Sequence, residues 1–338
     1  MLSAEPLETE MPETEVRRQA RSALLSRLFA PPALPQKRAN AGKPKRVAII
    51  GAGLAGLTAA YELEALGHEP VILEAGSRVG GRIYTRHFGD GLHGEFGAMR
   101  IPAHHTSVLR YVRAFGLPTR KAISHNPMAF YHIDGVRTRI GKASSLWPAQ
   151  TPAAFLGQDP AQVQADLVEA LLDELDAGEI AELIKGEGRS SRLAKIDRMT
   201  YLDYFADKLP QVVCSLVAKA SGVAHYNRVS CLSGLVDELN WACDDHLELV
   251  RGMDSLVDGF TDRLKAPIRF NAPITAIALE PDGISLSVGD TALPVRADYA
   301  LCCIPAPEVV KIRFSPAGSA NQAVINSRMN PPPCREAS

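Results

Sequence analysis

From Lys45 onward the chain alternates between short apolar runs and segments with helical spacing. The stretch KRVAIIGAGLAGLTAAYELEALGHEPVILEA reads as an apolar strand, a glycine-rich turn, a helix-length segment and a second apolar strand. That order predicts a βαβ unit with parallel strands. Apolar-polar alternation reappears in HNPMAFYHIDGVRTRI, where Asp134-Gly135 signals a hairpin. The segments QVQADLVEALLDELDAGEIAELI and YLDYFADKLPQVVCSLVAKASGV, rich in Leu, Ala, Glu and Asp, predict several helices. RGMDSLVDGFTDRLK predicts another helix, PIRFNAPITAIALEPDGISLSV predicts strands joined at Asp282-Gly283, and YALCCIP predicts a buried strand stopped by Pro305. The expected organisation is a discontinuous α/β domain at 45–105 and 245–316, interrupted by a mixed α+β domain at 106–244.

The ends of the chain read differently. Residues 1–44 combine an acidic start, the helically spaced EVRRQARSALLSRLF and a Pro-, Ala- and Lys-rich link. So little apolar surface predicts a disordered, mobile extension. Basic residues interleaved with leucines between Glu15 and Phe29 also suit an amphipathic helix for a partner or a lipid surface, although so short a helix is expected to fray. Residues 317–338 are polar and Pro-rich and predict an irregular tail. The cluster Asp173, Glu174, Asp176 and Glu179 reads as a solvated helix face.

Composition narrows the classes. The 338 residues are 46% hydrophobic and 22% charged, with a net charge of -1. Nothing in that balance attracts nucleic acid or an anionic membrane over the whole surface. The six cysteines show no paired C-x-x-C spacing and no disulfide-framework density, which points to a reducing, cytoplasmic setting. No run of about 18 apolar residues is present, so no integral membrane segment is expected. The amino terminus is acidic where a secretory signal would be basic and then apolar. The histidines, His93, His104, His105, His125, His132, His225 and His246 among them, form no i, i+4 pair beside a carboxylate, so no metal site is expected. His104-His105 reads as a solvated or capping pair.

Chemistry concentrates in the βαβ unit. Gly51 makes the strand-to-helix turn, Gly53 lets backbone approach a pyrophosphate and Gly56 lets the helix pack on the strand. The helix start at Ala52, Leu54 and Ala55 offers N–H groups and the positive end of a dipole to phosphate. Glu74, followed by Ala75 at the end of the second strand, is placed to accept from ribose hydroxyls. This fingerprint serves NAD and FAD alike. Just beyond it, Gly80, Gly81 and Arg82 supply backbone access and a planar donor for the phosphates.

The segments VAIIGAGLAGLTAAYEL, EAGSRVGGRIYT and GEFGAMRIP, in that order and spacing, resemble the flavin-containing amine oxidase family, most closely its L-amino acid oxidase and tryptophan 2-monooxygenase branch. The resemblance spans about residues 45 to 317 and is densest at 45–102. It implies FAD as cofactor, a Rossmann-like FAD-binding domain and an inserted substrate domain. It implies that Gly97, Ala98, Met99 and Arg100 run beside the flavin ring, with Arg100 holding the substrate carboxylate. A guanidinium fork suits a carboxylate and fixes an amino acid with its Cα–H aimed at a flavin. Ile274 takes the position whose backbone reads the adenine edge, and Arg251 stands where a second glycine is usual, which is expected to loosen that turn.

The implied reaction is oxidative deamination of an L-amino acid or amine by molecular oxygen, giving a 2-oxo acid, ammonia and hydrogen peroxide. Oxidative decarboxylation of the monooxygenase kind starts the same way and stays open. So does an NAD-dependent dehydrogenase, which Gly80, Gly81 and Arg82 disfavour. After Pro316 the resemblance stops. The family's lysine-bearing strand and last FAD motif are not found, Lys311 comes too early to be that lysine, and no catalytic side chain is named. The expectation is a truncated or frameshifted chain, an inactive fragment, or one part of a split or processed enzyme, with a homo-dimer or a complementing C-terminal chain as candidate partners.

Overall fold

The computed structural model describes residues 13–28, 30, 42–123, 126–186, 190–222, 229–241, 246–289 and 293–315; the tail expected at 317–338, His125 and His225 lie outside them. In chain order the elements are α1 (Glu13–Leu28), β1 (Arg46–Ile50), α2 (Leu54–Ala65), β2 (Glu69–Leu73), β3 (Thr85–His87), β4 (His93–Glu95), β5 (Ile101–Pro102), α3 (Thr106–Ala114), β6 (Thr119–Lys121), β7 (Phe130–Ile133) and β8 (Val136–Arg139). There follow the helices α4 (Pro160–Glu174), α5 (Ala177–Lys185), α6 (Ser191–Ile196), α7 (Tyr201–Ala206), α8 (Gln211–Ala220) and α9 (Cys231–Trp241). The chain continues through β9 (His246–Leu249), α10 (Asp254–Thr261), β10 (Ile268–Arg269), β11 (Ile274–Glu280), β12 (Gly283–Val288), β13 (Val295–Ala297), β14 (Tyr299–Cys302), α11 (Ala306–Val309) and β15 (Arg313–Ser315). None of the described helices is long and apolar enough to cross a membrane.

The chain divides into two compact units. One comprises Pro32–Arg100, Arg110–Arg120 and Glu248–Ser338. Its centre is a parallel sheet in the order β10-β2-β1-β14, which joins strands from both ends of the sequence. In β1 and in β2 every residue but the first is buried, as strands covered on both faces require. Ile49 points toward α2, whose Leu57 and Ala60 are buried. Ala48, Ile50, Val71 and Leu73 share a core with Ile277, Leu286 and Val295 of the second sheet, β13-β12-β11-β15. At the far side β14 has β1 as its one strand neighbour among the described residues, and Tyr299 and Leu301 are exposed.

The expected boundary at residue 105 moves, because Arg110–Arg120 belongs to this unit. Tyr111 and Phe115 of α3 and its C-terminal end join Tyr61 and Phe260 in a cluster of edge and tilted rings 4.8–6.3 Å apart, and the Tyr111 hydroxyl donates to Glu62 at 2.6 Å. The turn expected at Asp282-Gly283 sits one residue earlier: Glu280 pairs with Gly283, so Pro281 and Asp282 form the loop.

The other unit comprises Met1–Pro31, Ile101–Leu109 and Lys121–Leu247. Its helices start where the sequence provides caps. Asp159 accepts from the Ala161 N–H ahead of Pro160, and Ser190 and Thr200 accept from Leu193 and Asp203 N–H groups. Asp176 and Glu179 form a reciprocal capping box, and Glu179 is buried. The solvated face expected for these acids is therefore wrong for Glu179, while Glu174 and Asp176 are exposed. Asp173 is also engaged, by Arg21 of α1 at 2.9 Å.

That contact corrects the expectation of a disordered extension for Glu13–Leu28. Leu25 is fully buried in the core of Leu171, Leu172, Leu193, Tyr201, Leu235 and Leu239. Arg21 is buried too, and its guanidinium spans Glu169 and Asp173. A helix too short to persist alone gains order from such packing. At the centre, Gly234 is the one residue type α9 tolerates there, since a Cβ would lie 2.2 Å from the Tyr201 ring. Gln164, Tyr201 and Glu238 hydrogen-bond one another at 2.7–2.9 Å. Burial raises the Glu238 carboxyl above its ordinary range, against the pull of its bonds to Tyr201 and Gln164. The hairpin β7–β8 turns at Asp134 and Gly135, both with positive φ (50° and 80°), the two-residue turn that the Asp-Gly pair predicts.

Candidate cofactor and substrate site

The parallel strands of the first unit end at a cradle made almost wholly of backbone. Gly51 follows β1 with φ 101°, and its N–H donates to the Leu73 carbonyl at 2.8 Å. A Cβ on Gly56 would stand 2.0 Å from the Gly51 oxygen, so α2 begins against the end of β1 only because position 56 is glycine. Gly53 caps α2 without a side-chain hydrogen bond, and the first turn carries no acid. The N–H groups of Leu54, Ala55 and Gly56 thus keep the dipole end clear for an anion.

A second glycine loop lies directly on the first. Gly80 donates its N–H to the Ala52 carbonyl at 2.9 Å and bridges Gly53, and a Cβ on Gly81 would come within 3.2 Å of the Gly53 Cα. Gly80 and Gly81 both have positive φ. Arg78, which sequence reasoning missed, holds this loop: its guanidinium donates to the Val79, Gly81 and Ile83 carbonyls at 2.7–3.0 Å and lies over the Tyr84 ring. A glycine loop leaves several carbonyls without strand partners, and that surplus was the available signal.

Glu74 does more than face a ribose. One carboxylate oxygen accepts the Ala52 N–H and the other the Gly76 N–H, both at 2.7 Å. The side chain therefore ties the two turns together, and its remaining lone pairs are what it has for a sugar hydroxyl. Its carbonyl accepts from Ala272 N–H, which sets Ile274 at the start of β11 two residues further on. Ala75 and Arg82 are exposed beside the cradle.

The Gly97–Arg100 segment hangs on the second loop. A Cβ on Gly97 would sit 1.9 Å from the Arg82 carbonyl oxygen, which also accepts the Ala98 N–H at 3.1 Å. Met99 is exposed and Arg100 half-buried. The sequence reading also passed over Thr85 and Glu95. Glu95 accepts from Thr85 Oγ1 (2.7 Å) and from the Met253 N–H (2.8 Å), and Thr85 Oγ1 accepts from the Asp254 N–H (3.1 Å). Together they seat the start of α10 on the β3–β4 hairpin. The positive φ of that turn, 96°, belongs to Gly252 and not to Arg251, so the arginine does not loosen it as expected.

In the helical unit, the histidines that follow Arg100 are not the solvated pair expected. His104 and His246 are buried, His104 meets His105 edge-on at 4.8 Å, and Pro102 pairs with His246 across β5 and β9. Burial lowers the His105 pKa, and the charge of His246 lowers it further. Among the described residues, no group of three or more His, Cys, Asp or Glu side chains is placed to hold a metal ion.

Comparison with known proteins agrees with this cradle. The family model for flavin containing amine oxidoreductases matches residues 54–333. L-amino acid oxidase Lm29 of Lachesis muta is 30% identical over 285 residues, covering 81% of this chain and 53% of that protein. The flavin-dependent L-tryptophan oxidase RebO of Lentzea aerocolonigenes is 29% identical over 299 residues, covering 83% and 63%. The chain spans about half the length of the curated relatives it matches. Two solved structures share the fold: cyclohexylamine oxidase of Brevibacterium oxydans (TM-score 0.62, 21% identity, 84% of this chain and 63% of that one) and putrescine oxidase bound to putrescine (0.59, 19%, 83% and 62%). The chain belongs to the flavin-containing amine oxidoreductase family, in keeping with its resemblance to the L-amino acid oxidase branch, and FAD is the cofactor its glycine cradle suits.

Proposed function

We propose that this chain forms the cofactor- and carboxylate-binding part of an enzyme that oxidises the Cα–N bond of L-amino acids. The observation that carries the reading is the contact of Gly97 on the Arg82 carbonyl, where no Cβ has room. Arg100, three residues on, is thereby joined by a short tether to the loop that lies against the phosphate-binding turn. In this reading the FAD domain is Rossmann-like and discontinuous, with β1 and β2 from its first part and β10 and β14 from its second.

Each residue has a task. Gly51, Ala52, Gly53, Leu54, Ala55 and Gly56 present backbone N–H groups to the pyrophosphate. Glu74 and Ala75 border the ribose, Gly81 and Arg82 the phosphates, and Ile274 the adenine edge. Gly97, Ala98 and Met99 line the ring, and Arg100 takes the substrate carboxylate bidentately. FAD, when bound, supplies the two-electron acceptor that no side chain can. The protein's share is to orient the Cα–H and exclude water. The products are a 2-oxo acid, ammonia and hydrogen peroxide; one molecular oxygen is consumed, and one water, which hydrolyses the released imine.

A second reading, that the chain binds FAD and an amino acid without turnover, draws on the chain's matching about half of its relatives' length. One experiment separates the two. The purified chain is loaded with FAD, its visible spectrum is recorded, and L-amino acids are added without oxygen. Bleaching of the flavin bands, lost in Arg100→Gln, supports oxidation. A spectrum that shifts without bleaching supports binding alone, and a chain that takes up no FAD overturns both.

A further inference from the structure

The helical unit contains a half-open groove of about 410 Å³ between the β7–β8 hairpin and α8, large enough to admit a small molecule. Its walls are apolar where Ile133, Leu146, Val212 and Leu216 meet, and Gln211 and Ser215 add hydrogen-bonding groups. Asp134 and Lys219 stand on its exposed side. Lys219 Nζ, in the last turn of α8, reaches both Asp134 carboxylate oxygens, at 2.6 and 2.9 Å. The two side chains are 68% and 45% exposed. An ion pair so open to water contributes little to the fold, and opening it costs correspondingly little. The backbone at Asp134 meanwhile is set by its hairpin turn.

One carboxylate and one ammonium beside an apolar wall complement a molecule that carries the opposite two charges on one carbon with an apolar side chain. We propose that this groove binds a free zwitterionic amino acid, its ammonium on Asp134, its carboxylate on Lys219 and its side chain against Leu146, Val212 and Leu216. The bound molecule replaces one exposed ion pair by two charge-assisted contacts partly shielded from solvent. The inference uses none of the residues assigned to FAD or to Arg100, and it holds whether or not Arg100 is a carboxylate clamp.

The test is calorimetric titration of the full chain carrying Arg100→Gln, with L-leucine as probe. Saturable binding is expected. Asp134→Asn and Lys219→Met should each weaken it about tenfold, the loss of one charge-assisted contact. Ser215→Trp, which fills the groove, should abolish it with the far-ultraviolet circular dichroism unchanged. For the same reason 4-methylpentanoate and 3-methylbutylamine, each lacking one of the two charges, should bind about tenfold more weakly than leucine. No saturable binding, or binding that Asp134→Asn, Lys219→Met and Ser215→Trp all leave unaltered, overturns the proposal. Failure of the Arg100 reading shows elsewhere, in a FAD-loaded chain whose spectrum ignores L-leucine, and leaves this titration unchanged.

Discussion

The two units are specified by different parts of the amino acid. In the FAD-binding unit the decisive feature is the missing Cβ: one added to Gly56 or Gly97 would lie 2.0 or 1.9 Å from a backbone oxygen. In the helical unit, Gly234 against Tyr201 apart, it is mostly the side chain: a capping box at Asp176 and Glu179, an arginine spanning two acids, and a buried trio of Gln164, Tyr201 and Glu238. Backbone constraints allow almost no substitution and leave a fixed spacing in the sequence. Side-chain constraints can be met by many residues and leave a weaker trace.

The sharpest way to break this contrast is at the glycines. Gly56→Ala and Gly97→Ala should each cost about 3 kcal/mol in the FAD-binding unit, since overpacking against backbone has no flexible partner to yield. FAD uptake should be lost, and hydrogen exchange should quicken in β1 and β2 while α4 and α9 keep their protection. Gly89→Ala, with nothing within 4 Å of the added carbon, is the control. Next in size is Leu25→Ala, expected to cost about 2–4 kcal/mol at a fully buried site, and to be read as faster exchange and proteolysis in α1 with FAD uptake intact. If it disturbs the flavin instead, the two units are not independent.

A smaller effect is a matter of pH. The Glu238 carboxyl is raised in the folded chain by burial. The folded state therefore binds its proton more tightly than the unfolded state, and stability falls as pH rises from the ordinary carboxylate range through the raised value. Glu238→Gln should flatten that fall and add about 1 kcal/mol at neutral pH, measured by urea unfolding at several pH values. The smallest change is expected for Arg251→Gly. The positive φ sits at Gly252, so glycine at 251 should alter the unfolding midpoint by no more than about 0.5 kcal/mol.

The same contrast explains what could be read from the sequence. Strands β1 and β2, helix α2 and the glycine turns were legible because apolar runs and glycine spacing are local signals. So was the Asp134-Gly135 turn. The double hold of Glu74 on Ala52 and Gly76 was not, because it joins residues 22 positions apart through a carboxylate that the motif assigns to a ribose. The helical spacing of α1 was legible but its order was not, because that order comes from Leu25 and Arg21 meeting leucines and acids about 150 residues downstream. Burial of His104 and His246 was equally hidden, since a two-residue strand pairing at Pro102 leaves no pattern to count.

The edge of the parallel sheet carries one more consequence. Strand β14, Tyr-Ala-Leu-Cys, has no lysine, proline or bulge to blunt it, and Tyr299 and Leu301 face solvent. A strand edge left in that state is a template for another chain's backbone. Among the described residues nothing pairs with the outer edge of β14, so a charge in place of Leu301 is expected to lower edge-to-edge association of the chain, read by light scattering at high protein concentration.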